Sequence, residues 1–319
     1  MKCTCGSEAW QKFGTYYRDG NRIQRLKCKQ CERVTSDTAQ RPLGSLRISL
    51  EQAVQVISLL AEGMGIRGTS RVTGLHQQTI LNLLETAGEK CTKLLDERIR
   101  NVQAGNVEVD ELYSYVGTRP ENTERGDPIH GEMFCFLGID RESKLIISHL
   151  VGKRLARNCA TLMSDLSDRI SNRPQLSTDG FPAYMGRNGA VAKAFGNEVD
   201  YGTEVKRFGR EETPPGRYTP AKCLGVTRHA QIGSPNMATI GTSRVERMNL
   251  SLRHFTRRFT RSTLGYSKTF TNHRHATALF VAHFNFCRTH SSLKNGIART
   301  PAMAAGLTDH VWTIAELLA

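Results

Sequence analysis

Apolar positions recur along this chain with two periods, and the change of period divides it. From residue 46 to 104 the period is helical. The stretch "ISLEQAVQVISLLAEG" sets Ser49 and Gln52 at capping-box spacing and stops at Gly63. In "GIRGTSRVTGLHQQTILNLLETAG", small Ser70, turn glycine Gly74 and apolar Ile80 fall at the spacing of a helix-turn-helix, where the first helix needs a small residue to let the second cross it. The second helix would start near Gln77 and bring Gln77, Gln78, Thr79 and Asn82 to base edges in a major groove. A purely structural helical hairpin has the same pattern. The helix continues through "KCTKLLDERIRNVQAGN" to a Gly105-Asn106 break, the predicted domain boundary.

Beyond that break the period falls towards two. "NVEVDELYSYVG" predicts a β-branched strand, "MFCFLGIDRESKLIISHLVG" a hairpin, "CATLMSDLSDRI" a helix, "QLSTDGFPAY" a short strand and "VDYGTEVKRFG" a fifth. Residues 209 to 243, rich in Gly, Pro and Thr, predict a long loop. In "TSRVERMNLSLRHFTRRFTRS", Val245, Met248, Leu252, Phe255 and Phe259 recur at steps of three and four, the buried stripe of one helix. This order predicts an α/β fold, a mixed sheet with helices packed on it. Before residue 46, "KFGTYYRDGNRIQRLK" predicts two short strands around an Asp19-Gly20 turn.

Charge narrows the partners. The 319 residues carry 44 Lys and Arg against 30 Asp and Glu, a formal net charge of +14, which favours a polyanion. No apolar run reaches the ~18 residues of a membrane span, and the first residues lack the apolar core of a signal peptide. The expectation is a soluble, cytoplasmic, nucleoid-associated protein whose polyanion is nucleic acid. Four of nine cysteines cluster near the N-terminus, which is no disulfide framework. Cys3, Cys5 and Cys28-x-x-Cys31 flank the hairpin and can offer four thiolates to a structural Zn²⁺; the alternative is reduced free thiols. His273, His275 and His283 read as core or surface histidines rather than metal ligands.

The 242–262 stretch holds six arginines and one acid, Glu246. Either a neighbouring arginine neutralises that acid, or the arginines hold phosphates while the carboxylate holds a metal. Asp110 in the first strand and Asp179 at the end of the fourth could converge with it, since those strands can be neighbours. Carboxylates brought that close need cations, and oxygen ligands suit Mg²⁺ or Mn²⁺. Spacing alone does not select these three, because Glu108, Glu111, Asp140 and Asp200 also qualify. Asp140 reads as a turn residue, and Glu111 alternates away from Asp110.

"VEVDELYSYVG", "LSTDGFPAY" and "SRVERMNLSLRHFTRRFTRSTLGYSK" resemble the three motif blocks of transposases of the insertion-sequence-one (IS-one) family, and the N-terminal cysteine hairpin and helix-turn-helix resemble that family's DNA-binding region. The resemblance implies an RNase H-like fold with a DDE site: Asp110, Asp179 and Glu246 as catalytic metal ligands, and Arg253 as the accompanying basic residue. It divides the chain into a zinc-ribbon-like unit (1–37), a helix-turn-helix domain (38–104) and a catalytic domain (105–319). Arg253, Arg257 and Arg261, spaced by four, make a stripe suited to successive phosphates. Terminal inverted repeats and target DNA are the expected partners, bound by at least a dimer. The expected reaction is attack of water at the element's ends, then of the freed 3′-hydroxyl on target DNA. Cys3-x-Cys5 departs from the family's C-x-x-C. A DNA-binding regulator without catalysis and a structure-specific nuclease of the same fold are the competing readings.

Overall fold

The structure is a computed structural model that describes residues 3–18, 21–36, 43–44, 46–209, 221–260 and 264–319. The expected Asp19-Gly20 turn, Arg261 and residues 210–220 of the expected loop lie outside the described residues. The chain is mixed α/β, with a small three-stranded sheet and a six-stranded mixed sheet.

The small sheet is β1 (Trp10–Arg18), β2 (Asn21–Cys28) and β3 (Val34–Ser36), antiparallel throughout. β3 has only three residues and no alternating pattern, so it leaves no periodic signal to read. Three helices follow: α1 (Leu50–Ala61), α2 (Ile66–Thr73) and α3 (Gln77–Arg98). Ser49 and Gln52 form the expected capping box at the start of α1, each side chain accepting from the other's backbone N–H at 3.1 and 3.2 Å. α2 ends at Gly74 in the left-handed conformation, and the Ser70 hydroxyl donates to the Leu75 carbonyl at 2.7 Å across the turn. Ile80 is fully buried. α3 then runs for 22 residues into the body of the molecule.

The large sheet contains β4 (Asn106–Val116), β5 (Gly131–Asp140), β6 (Ile146–Gly152), β7 (Gln175–Thr178), β8 (Asp200–Gly209) and β9 (Lys222–Ile232), in the order β6-β5-β4-β7-β8-β9. β4 pairs antiparallel with β5 and parallel with β7, and β7 pairs parallel with β8. The first and fourth strands of the sheet are therefore neighbours. Asp140, expected in a turn, is instead the last residue of β5, paired with Val107; its side chain holds the turn that follows, Oδ2 accepting from the Ser143 N–H at 2.8 Å and from the Ser143 hydroxyl at 2.6 Å.

β9 corrects the expectation of a loop over 209–243. It pairs antiparallel with β8 at the sheet's edge, and nearly every residue is exposed. A strand with no buried face carries no alternation to read.

Helices α4 (Ala156–Arg169), α6 (Ser243–Phe255) and α7 (Phe270–Ala282) pack on the sheet, α5 (Ala190–Phe195) packs on α4, and the short α8 (Pro301–Ala304) and α9 (Ile314–Leu318) follow, α9 lying against α3 and α1. α7 crosses α3 so closely that a Cβ at Gly88 would lie 2.3 Å from the His275 Cβ, which requires glycine there. One apolar cluster runs from Leu43 and α1 through the sheet to Leu318. Among the described residues no helix is long and apolar enough to cross a membrane.

α6 also departs from expectation. Val245, Met248 and Leu252 are buried as predicted, but the helix ends at Phe255, where Thr256 turns extended (φ −137°, ψ 95°). Phe259 belongs to a separate 3₁₀ turn and packs on the His273 ring, centroids 4.8 Å apart. That contact draws the chain out of the helix, and β-branched Thr256 and Thr260 do little to extend it. Arg253 and Arg257 therefore do not share one continuous helical stripe.

Candidate active site

The β4–β7 ladder sets the site. Its last pair is Glu108 with Ser177; Asp110, within β4, and Asp179, just past the end of β7, each lie two residues further on. Beyond that pair the strands separate and leave the edge of β4 open. Ligand oxygens of Asp110, Glu111 and Asp179 gather there within 4.8 Å of one another. This corrects the reading of Glu111 as turned away. Alternation puts it on the opposite face from Asp110, where it bonds the Tyr184 hydroxyl, but at the open edge its carboxylate still comes beside the others.

Each acid has a partner. Asn249 Nδ2 on α6 donates to Asp110 Oδ2 at 2.8 Å, and the buried Asn249 Oδ1 has no hydrogen bond among the described residues. Arg154, between β6 and α4, lies 3.1 Å from Glu111 and 3.5 Å from Asp179. Its guanidinium stands 4.0 Å over the Phe181 ring. Asp179 Oδ1 accepts the Phe181 N–H at 2.9 Å. Glu246, in the first turn of α6, lies outside the cluster: it pairs with Lys206 of β8 and accepts the Thr242 hydroxyl at 2.8 Å. Its charge still acts on Asp110. Arg154, Lys206 and Asn249 carried no signal in the sequence, because contacts across 25 to 139 residues leave no local spacing.

The donor set fits a hard divalent cation: three oxygen ligands gathered together, an acid on the adjacent helix, and an amide oxygen with no hydrogen bond among the described residues. Burial holds the Asp110 carboxyl up at about 7, and the charges of Glu111, Asp179 and Glu246 push the same way. The ordinary value is about 4. Between about pH 4 and 7 the folded chain therefore keeps a proton that the unfolded chain has lost, so this residue's contribution to stability falls as pH rises through that window. Without added divalent cation, the melting temperature should fall from about pH 5 to about pH 8, and Asp110→Asn should flatten the decline. Equal slopes in the two proteins would reject this assignment.

The other expected residues lie elsewhere. Arg253 and Arg257 line a cavity of about 460 Å³ with Leu250, His254 and Thr260. Gln77, Gln78 and Asn82 are exposed at the start of α3, Thr79 is half-buried, and Gln78 Nε2 donates to Asn82 Oδ1 at 2.8 Å. His273 is buried between the hydroxyls of Ser114 (3.1 Å) and Ser267 (2.7 Å).

A second cluster joins Cys3, Cys5, Cys28 and Cys31, all free thiols, with sulfur atoms within 4.8 Å. Cys3 and Cys31 are 3.5 Å apart, and Cys5 and Cys28 are 3.7 Å apart. Tetrahedral zinc with Zn–S of ~2.3 Å needs sulfur separations of about 3.8 Å. The Cys31 N–H, helped by that of Gln30, draws the Cys28 thiol down to about 6, towards the thiolate that a metal needs. The short Cys3-x-Cys5 spacing closes because the chain turns at Gly6, whose N–H donates to the Cys3 carbonyl at 2.9 Å.

No family model matches this chain, and no curated protein does. Among solved structures it is similar to a piggyBac transposase synaptic complex with hairpin DNA, determined by cryo-EM. That likeness has 10% identity, a TM-score of 0.35, and covers 84% of this chain and 69% of the other. A similarity so distant carries no argument about mechanism.

Proposed function

We propose that this chain is a DNA transposase of the DDE type, resembling the IS-one family. It would bind terminal inverted repeats and catalyse metal-dependent cleavage and strand transfer. The observation that carries the reading is the meeting of Asp110, within β4, and Asp179, just past the end of the parallel strand β7, far apart in sequence and beside the helix that bears Glu246. The chain's net charge of +14, which persists despite its acidic cluster, supports a polyanionic, phosphodiester substrate.

In this reading residues 105–319 are an RNase H-like catalytic domain, residues 38–104 a helix-turn-helix domain and residues 1–37 a zinc-ribbon-like unit. Asp110, Asp179 and Glu246 would hold Mg²⁺ or Mn²⁺, with Glu111 beside them. Bound there, the cations would supply activation of the attacking oxygen and stabilisation of the leaving one. The chain does the rest. Asn249 and Arg154 orient Asp110 and Asp179, while Lys206 holds Glu246. Arg253 and Arg257 face the DNA backbone, and Arg261 is assigned to the same path from its sequence position. Cys3, Cys5, Cys28 and Cys31 would hold Zn²⁺. Pairing two element ends calls for at least a dimer.

The test is cleavage of a duplex bearing the gene-proximal terminal repeat, with Mg²⁺ or Mn²⁺. Nicking at the repeat end supports the transposase; binding without cleavage supports a regulator; cutting of junctions or hybrids in preference supports a nuclease. For the helix-turn-helix, Asn82→Ala should weaken repeat binding by about 1–3 kcal/mol and leave binding to unrelated duplex unchanged. Equal loss on both duplexes would remove Asn82 from the base-reading set.

A further inference from the structure

Helix α6 starts without a side-chain cap among the described residues. Thr242, at the N-cap, gives its hydroxyl to Glu246 Oε1 at 2.8 Å instead. The first-turn N–H groups of Arg244 and Val245 donate to one distant oxygen, Glu108 Oε2, at 2.6 and 3.0 Å. Glu108 is 1% exposed and lies on β4, two residues before Asp110 and on the same face of the sheet. Its carboxylate meets both the orphan donors and the positive end of the helix.

The arrangement is costly. Burial raises the Glu108 carboxyl above its ordinary range. Its Oε1 has no hydrogen bond among the described residues, and Arg141 Nε stands 3.6 Å away. A well-packed apolar side chain would spare that desolvation, but it could not hold the two N–H groups. What the carboxylate achieves is placement. It ties the first turn of α6 to β4 beside Glu246, and Asn249, three residues after Glu246, ties the next turn to Asp110 itself. One strand thus carries Asp110 and anchors the helix that carries Glu246.

We propose that Glu108 is a positioning residue, fixing the start of α6 on β4 so that Glu246 stands at the right distance from Asp110 for a shared divalent cation. The inference rests on the reading of Asp110, Asp179 and Glu246 as cation ligands. It predicts coupling: Glu108 acts only through Glu246.

The test is Mn²⁺ titration of the zinc-loaded full chain, followed by electron paramagnetic resonance, with folding checked by near-ultraviolet circular dichroism. The proteins are wild type, Glu108→Ala, Glu108→Gln, Glu246→Gln and each Glu108 variant combined with Glu246→Gln. Glu246→Gln and Glu108→Ala should each weaken Mn²⁺ about tenfold, and the double variant should bind no more weakly than Glu246→Gln. Glu108→Gln keeps an acceptor oxygen for the two N–H groups and should lose less. Should Glu108→Ala not fold, the Gln variant carries the test, its loss vanishing in the Glu246→Gln background. Losses that multiply, or Glu108 variants that bind as wild type while Glu246→Gln does not, overturn the positioning role. Unchanged binding by Glu246→Gln itself overturns the ligand reading, and the positioning role with it.

Discussion

Asp179→Asn should abolish cleavage of the terminal-repeat duplex while leaving its binding intact. The side chain is 40% exposed at the open edge between β4 and β7, so the substitution creates no cavity. An asparagine there keeps an oxygen to accept the Phe181 N–H, the bond that now orients the carboxylate at 2.9 Å. What it removes is charge. Surface substitutions away from special features change stability by about 0.5 kcal/mol or less, and the lost pairing with Arg154 is partly solvated. Loss of a cation ligand is a different matter: it withdraws several kcal/mol of transition-state stabilisation, on the order of a thousandfold in rate. Single-turnover nicking with Mg²⁺, beside a binding assay in Ca²⁺, separates the two effects. If the variant cuts as wild type does, another acid carries the chemistry, and Glu111 is the first to examine.

That the first and fourth strands are neighbours was legible because their apolar patterns are plain and their order allows it, but spacing did not select Asp110 and Asp179 from the other acids; the family resemblance did. The sequence could not say how far the pairing runs. The ladder stops at Glu108 and Ser177, and that stop lets Glu111 join the cluster against the expectation from alternation. The helical segments were legible for local reasons: the Ser49–Gln52 box, Gly74 and Gln77 each act within four residues. β9 was not, since its pairing with β8 places almost no side chain in the core. The end of α6 at Phe255 depends on Phe259 meeting His273, a tertiary contact to which helical periodicity is blind. The pairing of Glu246 with Lys206 was hidden for the same reason. The notion of a lone acid neutralised by a neighbouring arginine was right about neutralisation and wrong about the partner.

Zinc removal should unfold the first 36 residues and leave the rest folded. Among the described residues of the small sheet and its cysteine turns, only Cys3, Ile23 and Cys28 are buried, and two of those three are themselves members of the cluster. Three antiparallel strands with so little apolar burial do not stand alone in water. A structural Zn²⁺ contributes on the order of 10–16 kcal/mol to such units. The body of the chain has its own continuous apolar cluster and does not depend on the metal. Cys28→Ser removes a buried thiolate ligand, and bound zinc should fall from about one per chain to near zero. Hydrogen exchange should then show amide protection lost across β1 and β2 and retained in α3, β4 and β5, with the main melting transition little changed. Binding to the terminal repeat should weaken as the small sheet unfolds. If the metal-free chain keeps its protection in β1 and β2, the four thiols are reduced cysteines packed together, and the sheet is held by contacts other than zinc.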